Sequence, residues 1–136
     1  MRTWFKELAF STRKQREVID FTDEIIAAVQ DSKIKNGLVT VSLPHATAAL
    51  VLNEAESGVM QDILDKLEEL VPQKAKYQHD RIDDNAHAHL KSALLGSTQT
   101  LPVVDGKVVR GTWQNFLVVE QDGPRRRALA IFVMGE

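Results

Sequence analysis

Cysteine is absent from the 136-residue chain. That removes disulfides, thiolate zinc sites, iron–sulfur clusters and a cysteine nucleophile, so a bound metal would rely on His, Asp, Glu or water. An excess of one charge is missing as well. Seventeen basic residues face nineteen acidic ones for a net charge of −2, which gives no electrostatic case for nucleic acid. No apolar run approaches the ~18 residues of a membrane span. Lys6 and Glu7 also interrupt the N-terminal stretch where a secretion signal needs unbroken apolar residues. A soluble, cytoplasmic protein without nucleic-acid or membrane partners is expected. The length suits one domain over residues 1–136 and is too short for a (β/α)₈ barrel, which needs about 200 residues.

What is present is a mixed pattern. Thr3 to Phe10 and Glu17 to Phe21 read as strands, and Thr22 is placed to cap a helix that opens with Asp23 and Glu24 and stops at Asn36-Gly37. Leu38 to Leu43 alternates as a half-buried strand, and Ala46 to Leu52 is a second apolar strand after Pro44. Asn53 and Glu56 have the spacing of a capping box ahead of a helical stripe that ends before Pro72. Residues 73–84 form a polar loop, Ala86 to Leu95 a short helix closed by Gly96. Asp105-Gly106 predicts a tight hairpin, and Phe116 to Val119 and Arg127 to Met134 are strands around Asp122-Gly123. Strands at both ends with helices between them predict an α+β fold, an antiparallel sheet packed with two to three helices. The unbroken apolar run Ala128 to Met134 predicts a strand covered on both faces, with another subunit as the second cover.

Histidine placement carries the most chemical information. His79, His87 and His89 fall close together in a polar stretch, and His45 follows Pro44 at a break between strands. Neutral imidazole is a common metal ligand and the usual general base near neutral pH. On a helix His87 and His89 would flank opposite edges of the apolar face; in extended backbone they would point the same way. Asp80, Asp83 and Asp84 add carboxylates able to bind Mg²⁺ or orient an imidazole, although Asp83 and Asp84 read more simply as a solvated loop. Asn53 and Glu54 sit at a helix start, which also suits an anion. Arg125-Arg126-Arg127 offers guanidinium forks for phosphate or a solvated cluster. Gly111 permits close approach of backbone to a ligand, while Trp113 is either a core anchor or a stacking surface.

Several segments in order resemble one known family: Leu43-Pro44-His45-Ala46-Thr47-Ala48-Ala49 with Asn53-Glu54; Tyr77-Gln78-His79-Asp80; Asn85-Ala86-His87-Ala88-His89-Leu90-Lys91; Leu95-Gly96-Ser97; Leu101-Pro102-Val103; and Gly111-Thr112-Trp113-Gln114. They are similar to the YjbQ-like family, known for a secondary thiamine-phosphate synthase activity. The resemblance implies a small trimeric α+β unit with a site near a subunit interface. It implies His45, Asn53, Glu54, Asp80 and Thr112 as catalytic residues, and Thr47, Lys91, Gly111, Trp113 and Arg126 as substrate contacts. His87 matches only some members. The implied reaction joins hydroxymethylpyrimidine diphosphate to thiazole phosphate with loss of pyrophosphate. Mg²⁺ on Asp80 or Glu54 would neutralise the leaving diphosphate, and Trp113 or Tyr77 would stack the pyrimidine. Two alternatives stand beside it. One is a hydrolase or transferase of another phosphorylated metabolite with Mg²⁺ or Zn²⁺ on His45, His79 and His89. The other is a non-catalytic trimer that binds an anionic metabolite.

Overall fold

A computed structural model describes residues 1–136. The chain order is β1 (Arg2–Ser11), β2 (Glu17–Asp20), α1 (Thr22–Ser32), β3 (Gly37–Ser42), β4 (Ala48–Asn53), α2 (Ser57–Leu70), a single 3₁₀ turn (His79–Arg81), α3 (Ala86–Leu95), β5 (Thr98–Val104), β6 (Lys107–Val108), β7 (Asn115–Glu120) and β8 (Arg126–Gly135). The strands divide into two antiparallel sheets, β1-β8-β3-β5-β6 and β2-β7-β4. The α+β expectation holds, with three α-helices. No helix is long and apolar enough to cross a membrane.

Alternation along the strands builds the layers. In the larger sheet Val39 and Val41 of β3 and Leu129, Ile131 and Val133 of β8 point inward. They meet Ala48, Leu50, Phe116 and Val118 from the smaller sheet, and Ile25, Ala28 and Val29 of α1 fill the same core. Each such buried aliphatic side chain contributes about 1.5–3 kcal/mol relative to exposure. The opposite face of the smaller sheet, with Ala49 and Val119, packs on Leu67 of α2 and Leu95 of α3. The helices that carry the site therefore rest on a sheet fixed from behind.

The outer face of the larger sheet is uncovered in the single chain. β8 alternates rather than being buried on both faces, because Phe132 is exposed while its neighbours Ile131 and Val133 are sealed. Phe5 lies opposite Phe132, and Leu38 opposite Met134, so the exposed residues form one apolar patch.

Three local expectations change at the helix ends. Phe21, not Thr22, is the N-cap residue of α1, and Asp20 Oδ1 accepts from both Thr22 N and Thr22 Oγ1. Thr22 Oγ1 is thereby free to accept from Phe116 N and tie α1 to β7. The helix stops earlier than Asn36-Gly37, at Lys33 in a left-handed conformation. Gly37 serves a different purpose: a Cβ there would lie 1.9 Å from the carbonyl oxygen of Met134 across the sheet. At α2 the cap is Glu56, whose carboxylate accepts from Gly58 and Val59 amides, while Asn53 is the last residue of β4. The Asp105-Gly106 turn is as expected, with positive φ at both positions (52° and 77°).

Candidate histidine-lined site

The loop between β3 and β4 presents His45 beside the end of β8. Leu43 N donates to Ser97 O and His45 N to Leu43 O, which fixes the bend. Ala128 N then donates to His45 Nε2 at 3.0 Å. Burial, and after it the nearby charge of Arg127, holds the His45 pKa below the usual imidazole value. His45 lines a cavity of about 460 Å³ with Ala46, Ala48, His89, Ser92, Ala93, Gly96 and Ser97.

His89 also belongs to a second cavity of about 260 Å³, lined by Lys76, Tyr77, Gln78, His79, Ala86 and Leu90. Its ring meets that of His79 edge to face, with centroids 4.8 Å apart. His79 is held from behind: its Nε2 lies 3.0 Å from Asn85 Oδ1, and Asn85 Nδ2 donates to Asp122 Oδ2 at 2.8 Å. Since the Asp122 carboxylate only accepts, Asn85 turns its carbonyl oxygen to His79, and His79 Nε2 is the donor. In the neutral ring Nδ1 of His79 then carries the lone pair. Asp80 Oδ1 accepts from Ala86 N at the start of α3, so its role here is to position the helix.

Because α3 begins at Ala86, the helical alternative for His87 and His89 applies. His89 faces the cavities, whereas His87 is 1% exposed and turns inward. Lys91, expected to touch substrate, is also sealed inside. Its Nζ donates to Glu68 Oε2 at 2.6 Å and lies 3.1 Å from His87 Nδ1, joining α3 to α2. Arg16 pairs with the same Glu68. The His87 pKa is lowered by burial and then by Lys91, and that of Lys91 by burial.

The arginine run splits three ways. Arg127 is buried and forked onto Glu120, with Nη2–Oε2 at 2.6 Å, and also donates to Thr47 Oγ1 at 2.9 Å. Thr47 is therefore a partner of Arg127 rather than a free substrate contact. Burial alone would raise the Glu120 pKa, but Arg127, the Asp122 amide and Thr12 outweigh it and leave it lowered. Arg125 pairs with Asp122, and Arg126 is exposed on the strand's open side.

Asn53, Glu54, Gly111, Thr112 and Trp113 lie elsewhere. Asn53 pairs with Asn115 at one end of the smaller sheet, whereas Ala48, next to the His45 loop, pairs with Glu120 at the other. The rise along β4 separates these ends by roughly 17 Å. Trp113 is 69% exposed, neither a core anchor nor a wall of the histidine cavities. The anion position at the start of α2 is taken by the protein's own Glu56, whose pKa is lowered by the Gly58 and Val59 amides.

No three His, Asp or Glu side chains converge closely enough to hold an ion. His79 and His89 touch, but His45 gives Nε2 to the Ala128 amide. Asp80 and Glu54 are not joined with histidines into a ligand set. The expected His45/His79/His89 centre is not assembled within one chain.

Fold and site together define a class: a small two-sheet α+β protein whose third helix carries a histidine shared by two cavities. The family described as "UPF0047 protein YjbQ-like" matches residues 6–136, and the chain belongs to it. A UPF0047 protein of Archaeoglobus fulgidus is 48% identical over 92% of this chain and 97% of its own length. The UPF0047 protein YugU of Bacillus subtilis is 37% identical over 96% and 98% respectively. Among solved structures, a YbjQ-like protein from Sulfolobus solfataricus superposes with a TM-score of 0.97 at 45% identity, covering 99% of both chains. A YjbQ/UPF0047 protein from Clostridium acetobutylicum gives a TM-score of 0.90 at 35% identity, covering 95% of this chain and 99% of that one.

Proposed function

We propose that the protein is an enzyme of small phosphorylated metabolites, with a weak thiamine-phosphate synthase activity centred on the paired cavities around His89. The observation that carries this reading is the Asp122–Asn85–His79 chain, which fixes a histidine beside a cavity that Lys76 also lines. In the condensation, the thiazole nitrogen attacks the pyrimidine methylene and the C–O bond to diphosphate breaks, so the attacking nitrogen loses no proton. The demand falls on the departing diphosphate, for which Lys76 supplies charge and the His45 and His89 imidazoles supply hydrogen bonds. His79 Nδ1 is an acceptor for an exocyclic amine, and Tyr77 offers a ring surface in the same cavity. The combined space is in the range of small-molecule sites.

The same chain supports a second reading, hydrolysis or transfer on another phosphorylated metabolite. There a water or hydroxyl must be deprotonated, and His79 Nδ1 is the base, oriented by Asn85. Either reading is completed by a homotrimer. The apolar patch of Phe5, Leu38, Phe132 and Met134 gives a second copy a surface to cover.

Pyrophosphate release from hydroxymethylpyrimidine diphosphate, with and without thiazole phosphate, separates the two. Turnover that needs both substrates, with kcat/KM well below the ~10⁴ M⁻¹s⁻¹ of ordinary enzymes and lost in His79→Ala, supports the condensation. Thiazole-independent release supports the hydrolytic reading. No release at all, or release unchanged in His79→Ala, removes the condensation, and release unchanged in His79→Ala also removes His79 as the hydrolytic base.

A further inference from the structure

His45 differs from His79 in which nitrogen its surroundings engage. The Ala128 amide can only donate, so His45 Nε2 must accept. In a neutral imidazole the other nitrogen then carries the proton. Nδ1 has no protein partner and is not among the buried polar atoms sealed without one, so it reaches the solvent side of the ring. Protonating Nε2 would set two N–H groups against each other and break the tie to β8. Burial and Arg127 also oppose the charged ring and outweigh the Ala128 backbone contact and Glu120, which favour it. The lone pair that a metal or a substrate proton would need is already used.

Ser92 is a second, independent feature of the same cavity. It is 7% exposed, and its Oγ is a buried hydroxyl without a hydrogen-bond partner. Native proteins satisfy nearly all such groups; this oxygen is sealed from the cavity as it stands and meets a ligand there only after the side chain turns about χ1.

We propose that His45 holds a phosphoryl oxygen of the ligand as a neutral hydrogen-bond donor through Nδ1–H, and is neither a metal ligand nor a base. The phosphorylated nature of the ligand rests on the function proposed above; the donor assignment rests on the Ala128 bond. Subsite and chemistry are then divided, with His45 receiving the anion and His79 keeping a free lone pair on the far side of His89.

Pyrophosphate titrated into the full-length protein labelled with ¹⁵N-histidine, in EDTA, tests this directly. Long-range ¹H–¹⁵N spectra should show His45 protonated on Nδ1 throughout, with that signal moving on titration. His45→Asn, which places an amide donor near Nδ1, should bind pyrophosphate within about threefold of the native protein. His45→Gln places its amide at the Nε2 position, where its carbonyl oxygen can still accept from Ala128. It should weaken binding about tenfold or more, the scale of one hydrogen bond to a charged group. A proton on Nε2, absent pyrophosphate binding, equal affinity in His45→Gln, or stoichiometric Zn²⁺ that shifts His45 in place of pyrophosphate would overturn the proposal. If pyrophosphate moves the His45 signal but no substrate turns over, the functional reading fails and the donor role stands. If substrate turns over while His45 stays unperturbed, the donor role fails and the functional reading stands.

Discussion

The two ends of the β2-β7-β4 sheet are built differently although both carry residues expected at the site. At the His45 end, side chains expected at the site are tied to groups far away in sequence: His45 to Ala128, His79 through Asn85 to Asp122, and Thr47 through Arg127 to Glu120. At the Asn53 end, bonds are local. Asn53 Oδ1 takes the next amide, and Gln114 Oε1 takes that of Gly111. A side chain held by remote partners has lost its rotamer freedom before any ligand arrives, which is the condition for preorganised catalysis. A side chain held by its neighbour retains exposure and waits for something to pack on it. The first end is finished within one chain, and the second has the form of a surface.

The largest expected effect comes from breaking what anchors the first end. Arg127→Met leaves Glu120 charged and unpaired in the interior, a loss of about 3–5 kcal/mol. Thermal unfolding should fall by about 10–20 °C, whereas Arg126→Met, beside it but exposed, should change the midpoint hardly at all. Next is catalysis. With His79 as the hydrolytic base, His79→Ala should lower kcat by about 10²–10⁴-fold with little change in the melt, and Asn85→Ala should lower it less by freeing the ring to turn.

The pH dependence sharpens the contrast further. His45 and His87 have pKa values lowered from 6.5, so the unfolded chain binds more protons than the fold just below that pH. Their contribution is complete above pH 6.5 and is lost as pH falls through the folded values. Glu120 and Glu68, lowered from 4.5, add a second loss at lower pH. Urea midpoints measured against pH should show both limbs, and His45→Asn should flatten only the upper one. The smallest effect is at the far end. Trp113→Ala should shift stability by no more than about 0.5 kcal/mol, as for other exposed positions. If the trimer covers that end, the same change will slow turnover or loosen assembly, readable by sedimentation.

Local patterns were legible in the sequence where one element decides the outcome. The bounds of α3, the Asp105-Gly106 turn and the alternation of β3 need only neighbouring residues, and all three agree with the structure. A helix beginning at Ala86 turns His87 and His89 to different sides, but the sequence left open which of them faces the cavities, and only the packing against Glu68 decides it. Long-range pairings were not legible. Nothing near Lys91 announces that Glu68 will meet it inside, and nothing near Thr47 announces Arg127. Asp122 looked like half of a turn, yet its carboxylate ends the chain that orients His79. The capping box failed for a physical reason: the Asn53 side chain sits on the end of β4, and the Glu56 carboxylate reaches the first free amides of α2 instead. The doubly covered β8 was inferred from apolar composition alone, and composition does not distinguish a buried face from one awaiting a partner.

The two histidines that flank His89 are fixed in opposite tautomers by their partners, and the division of labour proposed for the site depends on that difference. A long-range ¹H–¹⁵N spectrum of the free protein near pH 7.5 tests it without substrate, metal or mutation. The expected spectrum has His45 protonated on Nδ1 and His79 protonated on Nε2, each with one sharp unprotonated nitrogen. The same tautomer on both rings, or rapid exchange at His79, would contradict it.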